Sequence, residues 1–328
     1  MSFEHKSPLS AKALGYLYEV IRRGSVRRAA VYLNVDASAI SRQIRGLEEN
    51  VGVALCERHD GGMRATEAGY LLIDHYHQQK AAESAALSRL NALQGLRSGE
   101  VRIAVGEGFI ADLISAPLQS FMAQHPGIEL EVRMAGVNEA MSLVKDFEVD
   151  LALLYSPPQD PALVHHAETR QPLDLIVPPE HPLLRQDGPV GLAEVAKWPL
   201  AMIDNCTGMR QMVDQAAQQE RVHLAPRLRT NSVSVLKNFV RSGIGVTFMP
   251  ELTVMEELRG GNIRLMPLRH SILSEARACI ASRKGRELTV AVKACLDHLR
   301  RGLRFFSADA PRLLDERCGH KRNTLPIE

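Results

Sequence analysis

The chain has 328 residues, of which 45% are hydrophobic and 24% are charged, and its formal net charge at pH 7 is +2. This length predicts two or three domains, and the balance of apolar and charged residues is that of a soluble globular protein. The first ten residues lack the apolar segment of a secretory signal, and no uninterrupted apolar run is long enough to span a bilayer. We therefore expect a soluble, cytoplasmic protein that does not enter a membrane.

The cysteines and histidines give no pattern of metal ligation. The five cysteines are scattered, which fits a reducing compartment and argues against structural zinc. His165 and His166 are adjacent, and adjacent side chains of an extended chain point to opposite sides, so they would chelate a metal poorly. We expect no metal and no cofactor. No nucleophile, metalloprotease or paired-carboxylate motif indicates an enzyme.

Positive charge is concentrated near the start of the chain. Residues 22–45 contain six arginines and one acid, a local net charge of +5. Such a cluster is typical of polyanion binding, although a solvated helix face is the common explanation of a charge run. The arginines are Arg22, Arg23, Arg27, Arg28, Arg42 and Arg45.

The pattern of residues 9–66 predicts three short helices and a hairpin. Gly24 ends the first helix, Ser25 can cap the second, and Asn34 suits a tight turn before the third. Asp60-Gly61-Gly62 is a turn signal, which predicts a two-stranded wing. The apolar positions of the third helix are Ile40, Ile44 and Leu47.

The other face of the third helix carries hydroxyl and guanidinium groups, which can contact phosphates and base edges. A helix, a short turn and a second helix with a basic face form the helix-turn-helix arrangement, so we expect this face to bind DNA. The phosphate contacts are expected from Arg27, Arg28 and Arg58. The base-edge contacts are expected from Ser38, Ser41, Arg42 and Ala37, with Arg45 on the same side.

At this point the residues resemble the LysR-type transcriptional regulators. The resemblance covers about sixty residues densely and rests on Ser25-Val-Arg-Arg-Ala-Ala30, on Ser38-Ala-Ile-Ser-Arg-Gln-Ile44, and on Gly52, Leu55, Arg58, Thr66 and Gly69. This sequence departs from the family at Cys56, where Phe is usual, and at Ala37, where Gln is common.

The resemblance implies a specific architecture and specific partners. It implies a winged helix-turn-helix, a linker helix that pairs with a second subunit, and a two-lobed effector domain with a periplasmic-binding-protein-like fold. It also implies a dimer of dimers that binds an interrupted inverted repeat in double-stranded DNA, with RNA polymerase as a further partner. A small-molecule effector between the lobes would modulate this binding.

A long helix is predicted from Tyr70 to Gln94, where the sequence contains no Gly or Pro. One apolar stripe on an otherwise polar helix needs a partner. The partner is either its own domain or, as the resemblance implies, the same helix of a second subunit. The stripe comprises Leu72, Tyr76, Leu87, Leu90 and Leu93.

Strands and helices alternate from Glu100 onward, which predicts an α/β fold with a parallel sheet flanked by helices. Strands at 101–105, 128–134 and 150–155 enclose helices at 113–124 and 138–145. Further strands at 174–178, 200–203 and 244–249, with a helix at 208–220, predict a second lobe. A strand at 277–282 and a helix at 287–299 return to the first lobe.

We divide the chain into a winged helix-turn-helix domain (9–66), a linker helix (67–98), an effector-binding domain (99–306) and a basic tail (307–328). Lobe 1 comprises about 100–170 and 270–305, and lobe 2 about 171–269. The tail is expected to be solvated, with contact to DNA or a partner as the alternative.

Loops that follow strands are expected to converge on a cleft between the lobes, as in other open α/β sheets. Helix starts there offer N–H donors that favour a carboxylate, and the phenylalanines would add apolar walls unless they are plain core. We therefore predict a small organic acid as the effector. In the resembled family a hydroxyl often stands at the position of Val137, so Asn138 or Thr207 would replace it. The expected residues are Gly108, Phe109, Val137, Asn138, Asn205, Cys206, Thr207, Thr247 and Phe248.

Three alternatives accompany this interpretation. The Gly106–Ala111 segment matches a dinucleotide fingerprint, but Met134-Ala135-Gly136 stands where a ribose-binding acid is expected, which disfavours a nucleotide. Cys206 lacks an identifiable base, and redox sensing there is an alternative to a structural role. A solute-binding or enzymatic α/β protein with an incidental N-terminal domain is the alternative function.

Overall fold

The computed structural model describes residues 9–93, 98–186, 188–204 and 207–306. The predicted basic tail, residues 307–328, lies outside the described residues. The chain divides into two compact units, residues 1–87 with 285–287 and residues 88–284 with 288–328. Among the described residues, no helix is both long enough and apolar enough to cross a membrane.

The first unit contains three helices, a hairpin and most of a fourth helix. Its elements are α1 (Ala11–Arg23), α2 (Val26–Leu33), α3 (Ala37–Val51), β1 (Cys56–His59), β2 (Gly62–Ala65) and α4 (Glu67–Leu93). The Ser25 hydroxyl accepts a hydrogen bond from the backbone N–H of Arg28, and Gly24 and Asn34 adopt the left-handed conformation that ends α1 and α2. The predicted winged helix-turn-helix is confirmed.

The apolar stripe of α4 is used in two different ways. Leu72 and Tyr76 pack against the core of the first unit, where the Tyr76 ring lies 6.0 Å from the Tyr18 ring. Leu87 and Leu90 are each 55% exposed. Packing on its own domain therefore accounts for the first two residues, while the pairing of Leu87 and Leu90 with a second subunit stays a prediction. The side chain of Leu93 lies outside the described part of the chain.

Within the second unit, residues 99–170 form most of the first lobe. Its elements are β3 (Gly99–Val105), α5 (Ile110–Leu113), α6 (Gln119–Gln124), β4 (Ile128–Met134), α7 (Val137–Lys145), β5 (Leu151–Tyr155) and β6 (Leu163–Arg170). Strand β3 lies between β4 and β5 and is parallel to both. This confirms the predicted parallel βαβαβ arrangement.

The second lobe is built from residues 173–268. Its elements are β7 (Leu173–Val177), α8 (Leu192–Val195), β8 (Ala201–Ile203), α9 (Gly208–Glu220), β9 (Leu228–Thr230), α10 (Val233–Arg241), β10 (Thr247–Pro250), α11 (Met255–Arg259) and β11 (Arg264–Met266). Strand β7 is the centre of an antiparallel sheet, β10–β7–β11, and β8 pairs with β9 in parallel. A parallel bridge between Leu200 and Val246 connects the two groups of strands.

The chain then returns to the first lobe through α12 (Ser271–Ser274), β12 (Arg277–Arg283) and α13 (Val290–Gly302). Strand β12 is antiparallel to β5 and β6 and completes a sheet in the order β4–β3–β5–β12–β6. The two connections between the lobes meet where the Gln171 N–H donates to the Ala276 carbonyl, at 2.7 Å. The expected two-lobed fold with two crossing segments is confirmed.

Several elements differ from their predicted form. The helix expected at 113–124 is interrupted by a π-helical turn, Ile114–Leu118, that contains Pro117. Proline has no N–H and collides with the carbonyl four residues earlier, so regular helical hydrogen bonding cannot pass through it. The sequence does not predict β6, an edge strand whose His-His-Ala-Glu-Thr-Arg segment lacks apolar alternation. Nor does it predict β9, α10 or β11, and the strand expected at 244–249 begins only at Thr247.

Candidate functional site

One face of α3 carries most of the side chains predicted to contact DNA. Ser38, Ser41, Arg42 and Arg45 are all exposed. The opposite face is buried against α1 and α2; its residues are Ile40, Ile44 and Leu47. Because the apolar face fixes the rotation of the helix, the hydroxyl and guanidinium groups project together into solvent.

Ala37 differs from the other residues expected to contact bases. It is the first residue of α3, but it is half-buried and packs against the core of the first unit. Its methyl group therefore presents less surface to a base edge than the exposed Ser38 does.

The arginine cluster separates into two groups. Arg23 is used inside the unit, because its Nε donates to Glu19 at 2.8 Å and its guanidinium lies 3.3 Å from the centre of the Tyr32 ring. Arg22 similarly lies over the Tyr18 ring. The arginines that were predicted to contact DNA are exposed and make no side-chain hydrogen bond or ion pair within the described part of the chain; they are Arg27, Arg28, Arg42, Arg45 and Arg58.

The wing that carries Arg58 is fixed to the helices by backbone contacts. The Met63 N–H donates to the Gly24 carbonyl at 2.7 Å, and the Leu55 N–H donates to the Glu48 carboxylate at 2.8 Å. A Cβ at Gly62 would lie 2.4 Å from the Gly24 oxygen, and Gly62 has a φ of +125°. This turn therefore requires glycine, and it holds the wing beside α1 and α2.

A cavity of about 230 Å³ lies between the lobes of the second unit. Its walls come from the ends of β3, β4 and β5 on one side and from the starts of α9 and α10 on the other. The lining is largely apolar, which suits a small, partly apolar ligand. The large apolar residues of the lining include Phe109, Met134, Val137, Leu153, Leu154, Ile203, Met209, Val233 and Phe305.

Some of the residues predicted to bind the effector meet at this cavity. Gly108, Phe109, Val137 and Thr207 line it. Asn138 is exposed and is not part of the lining. Its side chain therefore does not supply the missing hydroxyl at the position of Val137. Asn205 and Cys206 lie outside the described residues.

Thr247 and Phe248 do not line the cavity. Both are buried within β10, and the Thr247 hydroxyl donates to the Ala201 carbonyl at 2.9 Å. The expectation fails because β10 continues past these residues before it reaches the cleft. Pro250, at the end of the strand, and Thr253, in the turn that follows, line the cavity instead.

Among the described residues, the first residue of each of three α-helices lines the cavity: Val137 of α7, Gly208 of α9 and Val233 of α10. The first N–H groups of a helix have no partner inside it and favour an anion. At α9 the Thr207 hydroxyl accepts from the Arg210 N–H at 3.2 Å, so it is used as a helix cap. At α7 the preceding residue is Gly136, which has no side chain to cap the helix.

Glu107 is a cavity residue that the sequence does not identify. Its carboxylate accepts hydrogen bonds at the start of α10 from the Val233 N–H at 2.7 Å, the Ser232 hydroxyl at 3.2 Å and the Ser234 N–H at 3.4 Å. Glu107 follows β3 in the first lobe, so this carboxylate joins the two lobes. Glu107 and Ser232 are 125 positions apart, and no local pattern relates them.

The last described segment closes another side of the cavity. Phe305 is buried, and its ring centre lies 4.6 Å from that of Phe109. Its N–H donates to Asp112 at 3.2 Å, and its carbonyl accepts from the Gln171 side-chain amide at 3.0 Å. The neighbouring Arg304 donates to Asp112 at 2.8 Å. The sequence treats this segment only as the end of the domain and misses its place in the cavity wall.

The histidines and the buried cysteines have structural surroundings. His165 contacts Glu168, and His166 contacts Ser282. Burial raises the pKa of the Cys279 and Cys295 thiols to about 12, so neither supplies a thiolate at neutral pH. Among the described residues, no group of three side chains could hold a metal ion.

Comparison with known proteins assigns both units. A family model described as "Bacterial regulatory helix-turn-helix protein, lysR family" matches residues 11–70, and one described as "LysR substrate binding domain" matches residues 94–304. A RuBisCO operon transcriptional regulator from Allochromatium vinosum is 28% identical over 253 residues, which cover 76% of this chain and 82% of that one. The HTH-type transcriptional regulator CfxR from Cupriavidus necator is 28% identical over 294 residues, covering 89% and 91%.

The fold is shared with solved structures. A full-length OxyR variant from Pseudomonas aeruginosa has a TM-score of 0.64 at 16% identity, covering 90% of this chain and 95% of that chain. The regulatory domain of Synechocystis CcmR, in complex with 2-PG, has a TM-score of 0.56 at 21% identity, covering 63% and 98%. The relatives are transcriptional regulators, which favours regulation over solute transport or catalysis. The chain belongs to the LysR family and is a DNA-binding transcriptional regulator with an effector-binding domain.

Proposed function

We propose that this regulator binds its operator through the exposed face of α3, and that a small organic acid in the inter-lobe cavity modulates this binding. The observation that carries the DNA part is the joint exposure of Ser38, Ser41, Arg42 and Arg45 on one helix face. Guanidinium groups can form bidentate contacts with guanine, and hydroxyls can contact several base edges. We assign base recognition to this face, with a smaller part for Ala37.

The sequence-independent part of DNA binding is proposed to come from Arg27, Arg28 and Arg58. All three are exposed and lie on α2 or on the wing, outside the helix assigned to the bases. Neutralising phosphates releases counterions from DNA, so these contacts raise affinity for every sequence. They would fix the register in which α3 enters the major groove.

An organic acid is proposed because helix starts and apolar walls meet at the cavity. The first residues of α7 and α9, Val137 and Gly208, belong to its lining, and their N–H groups can bind a carboxylate. Phe109 and Met209 would contact the apolar part of the ligand. A fold neighbour, the regulatory domain of CcmR, binds an acid, 2-PG.

The assembly is proposed to be a dimer of dimers. Leu87 and Leu90 leave a large apolar surface on α4 exposed, and the same surface of a second copy would cover it. Two copies of α3 would then reach successive major grooves, so the operator would be an interrupted inverted repeat. We place this action in the cytoplasm, with RNA polymerase as a further partner.

Footprinting tests both parts of the proposal. Genomic fragments selected by the full-length protein should show two protected half-sites, and an acid that stabilises the protein should change the extent of protection. A single protected site would contradict the paired arrangement. A footprint that no stabilising acid alters would contradict the role of the acid.

A further inference from the structure

The Glu107 carboxylate lies at the start of α10, one of the three helices whose first residues line the cavity. Its carboxylate takes up the N–H groups of Val233 and Ser234. Ser232 precedes α10 but does not cap it, because its hydroxyl donates to Glu107 instead of accepting from the helix. The start of α10 is therefore already occupied, and a ligand anion must bind elsewhere.

The charged groups of the cavity have one sign. The described lining contains two carboxylates, Glu107 and Glu139, and it contains no Lys, Arg or His. Three arginines stand next to lining residues in the sequence, and each guanidinium is held by other groups. Arg133 donates to Glu131 and Glu148, Arg210 to Asp214 and the Ile203 carbonyl, and Arg304 to Asp112.

The starts of α7 and α9 remain for a ligand anion. Each helix start carries roughly half a positive charge, so the two together balance about one negative charge. A second negative charge on the ligand would find no Lys, Arg or His in the described lining to pair with, and it would face Glu107 and Glu139. Confining an unpaired charge in such a site is unfavourable.

We propose that Glu107 makes the cavity selective for a singly charged organic acid with an apolar body, against acids that carry a second carboxylate or a phosphate. This inference rests on the proposed function, since it requires an organic acid in the cavity. It predicts that this chain differs in ligand charge from CcmR, whose regulatory domain was solved with 2-PG. The same carboxylate also disfavours a pyrophosphate at the Gly106–Ala111 turn.

The test compares acids that differ by one negative charge on the full-length protein. Benzoate is paired with phthalate and butyrate with succinate, and each Kd is measured by thermal shift and calorimetry. We expect the single acids to bind at least about tenfold more tightly than their doubly charged partners. Glu107→Gln keeps an oxygen for the Val233 N–H but loses the charge. In this variant the ratio of the two Kd values should fall below about threefold, because the doubly charged acids bind more tightly than they do to the wild type.

Two further variants make the result specific. Glu129→Gln removes an exposed carboxylate of β4 outside the cavity lining and should leave the ratio unchanged. Glu139 is also a lining carboxylate, but it is exposed, so water screens its charge. Glu139→Gln should therefore reduce the ratio of the two Kd values less than Glu107→Gln does. If Glu107→Gln does not fold, Glu139→Gln is the second test.

The outcomes separate the two proposals. If the wild type binds singly and doubly charged acids equally, the proposal of charge selection is wrong, while the organic-acid proposal is unaffected. The same holds if the ratio of Kd values is unchanged in whichever of Glu107→Gln and Glu139→Gln folds. Binding of none of these acids overturns both. Both proposals are supported if the wild type shows the expected ratio of Kd values, Glu107→Gln lowers that ratio and Glu129→Gln leaves it unchanged.

Discussion

The backbone N–H of Val233 donates a 2.7 Å hydrogen bond to the Glu107 carboxylate, and this bond runs from the second lobe to the first. A second inter-lobe bond lies beside it, from the Thr253 hydroxyl to the Gly108 carbonyl at 3.4 Å. Both contacts lie at the cavity that is proposed to hold the effector. Any ligand that rearranges the end of β3 would therefore change the contact between the lobes.

Glu107→Ala tests the inter-lobe contact directly. Removing the carboxylate leaves the N–H groups of Val233 and Ser234 without their acceptor, which should cost about 1–3 kcal/mol of stability. Hydrogen exchange should accelerate in the first turn of α10 and remain unchanged in α13. Glu129→Ala is the control. Unchanged exchange at the start of α10 would mean that the contact does not hold the lobes.

Arg42→Ala and Arg28→Ala should affect DNA binding in different ways. Arg42 projects from α3, and its loss should weaken operator binding by about 1–3 kcal/mol if it forms a bidentate base contact. Arg28→Ala should weaken binding to all sequences and lower the salt slope by about one. Binding isotherms on operator and scrambled DNA at several salt concentrations measure both effects. Unchanged operator affinity in Arg42→Ala would reject the assignment of α3.

Charges on the exposed part of α4 should prevent assembly. Leu87→Glu with Leu90→Glu would place unpaired carboxylates in the proposed contact between subunits, which is costly. Sedimentation should show smaller particles with weaker binding to DNA with two half-sites. Leu71→Glu is a matched control, since Leu71 is 67% exposed but lies about 160° around the helix from Leu87. The same assembly in the double variant and the wild type would refute the pairing.

Gly208→Ala should separate the start of α9 from the end of β5. A Cβ at Gly208 would lie 1.8 Å from the Tyr155 carbonyl oxygen, which is far inside contact distance. Because α9 belongs to the second lobe and β5 to the first, we expect a lower Tm and weaker effector binding. Gly46→Ala is the matched control, because a Cβ there meets nothing within 4 Å. An unaltered Tm in Gly208→Ala would show that the lobes separate at little cost.

The sequence predicts those features that short patterns specify. The caps at Ser25 and Asn34 and the apolar spacing of Ile40, Ile44 and Leu47 determine the first unit, because helices obey local rules. The parallel β3–β5 core follows from the alternation of strands and helices for the same reason.

The cavity depends on contacts between distant segments, so the sequence predicts only part of its lining. Glu107 and Phe305 each meet partners more than a hundred residues away. The sequence predicts Thr247 at the cleft because it lies near a strand end, but the strand extends three residues further, to Pro250. Periodicity cannot fix such an offset, since the end of a strand depends on its neighbours in the sheet.

Phe305 also determines where the effector-binding domain can be cut. The family match ends at residue 304, yet the ring of Phe305 forms part of the cavity wall and its N–H donates to Asp112. A fragment that stops at residue 304 would keep nearly all of the sheet and helices but lose one side of the ligand chamber. Binding measured on such a fragment would underestimate the affinity of the intact regulator, so a useful fragment must include Phe305.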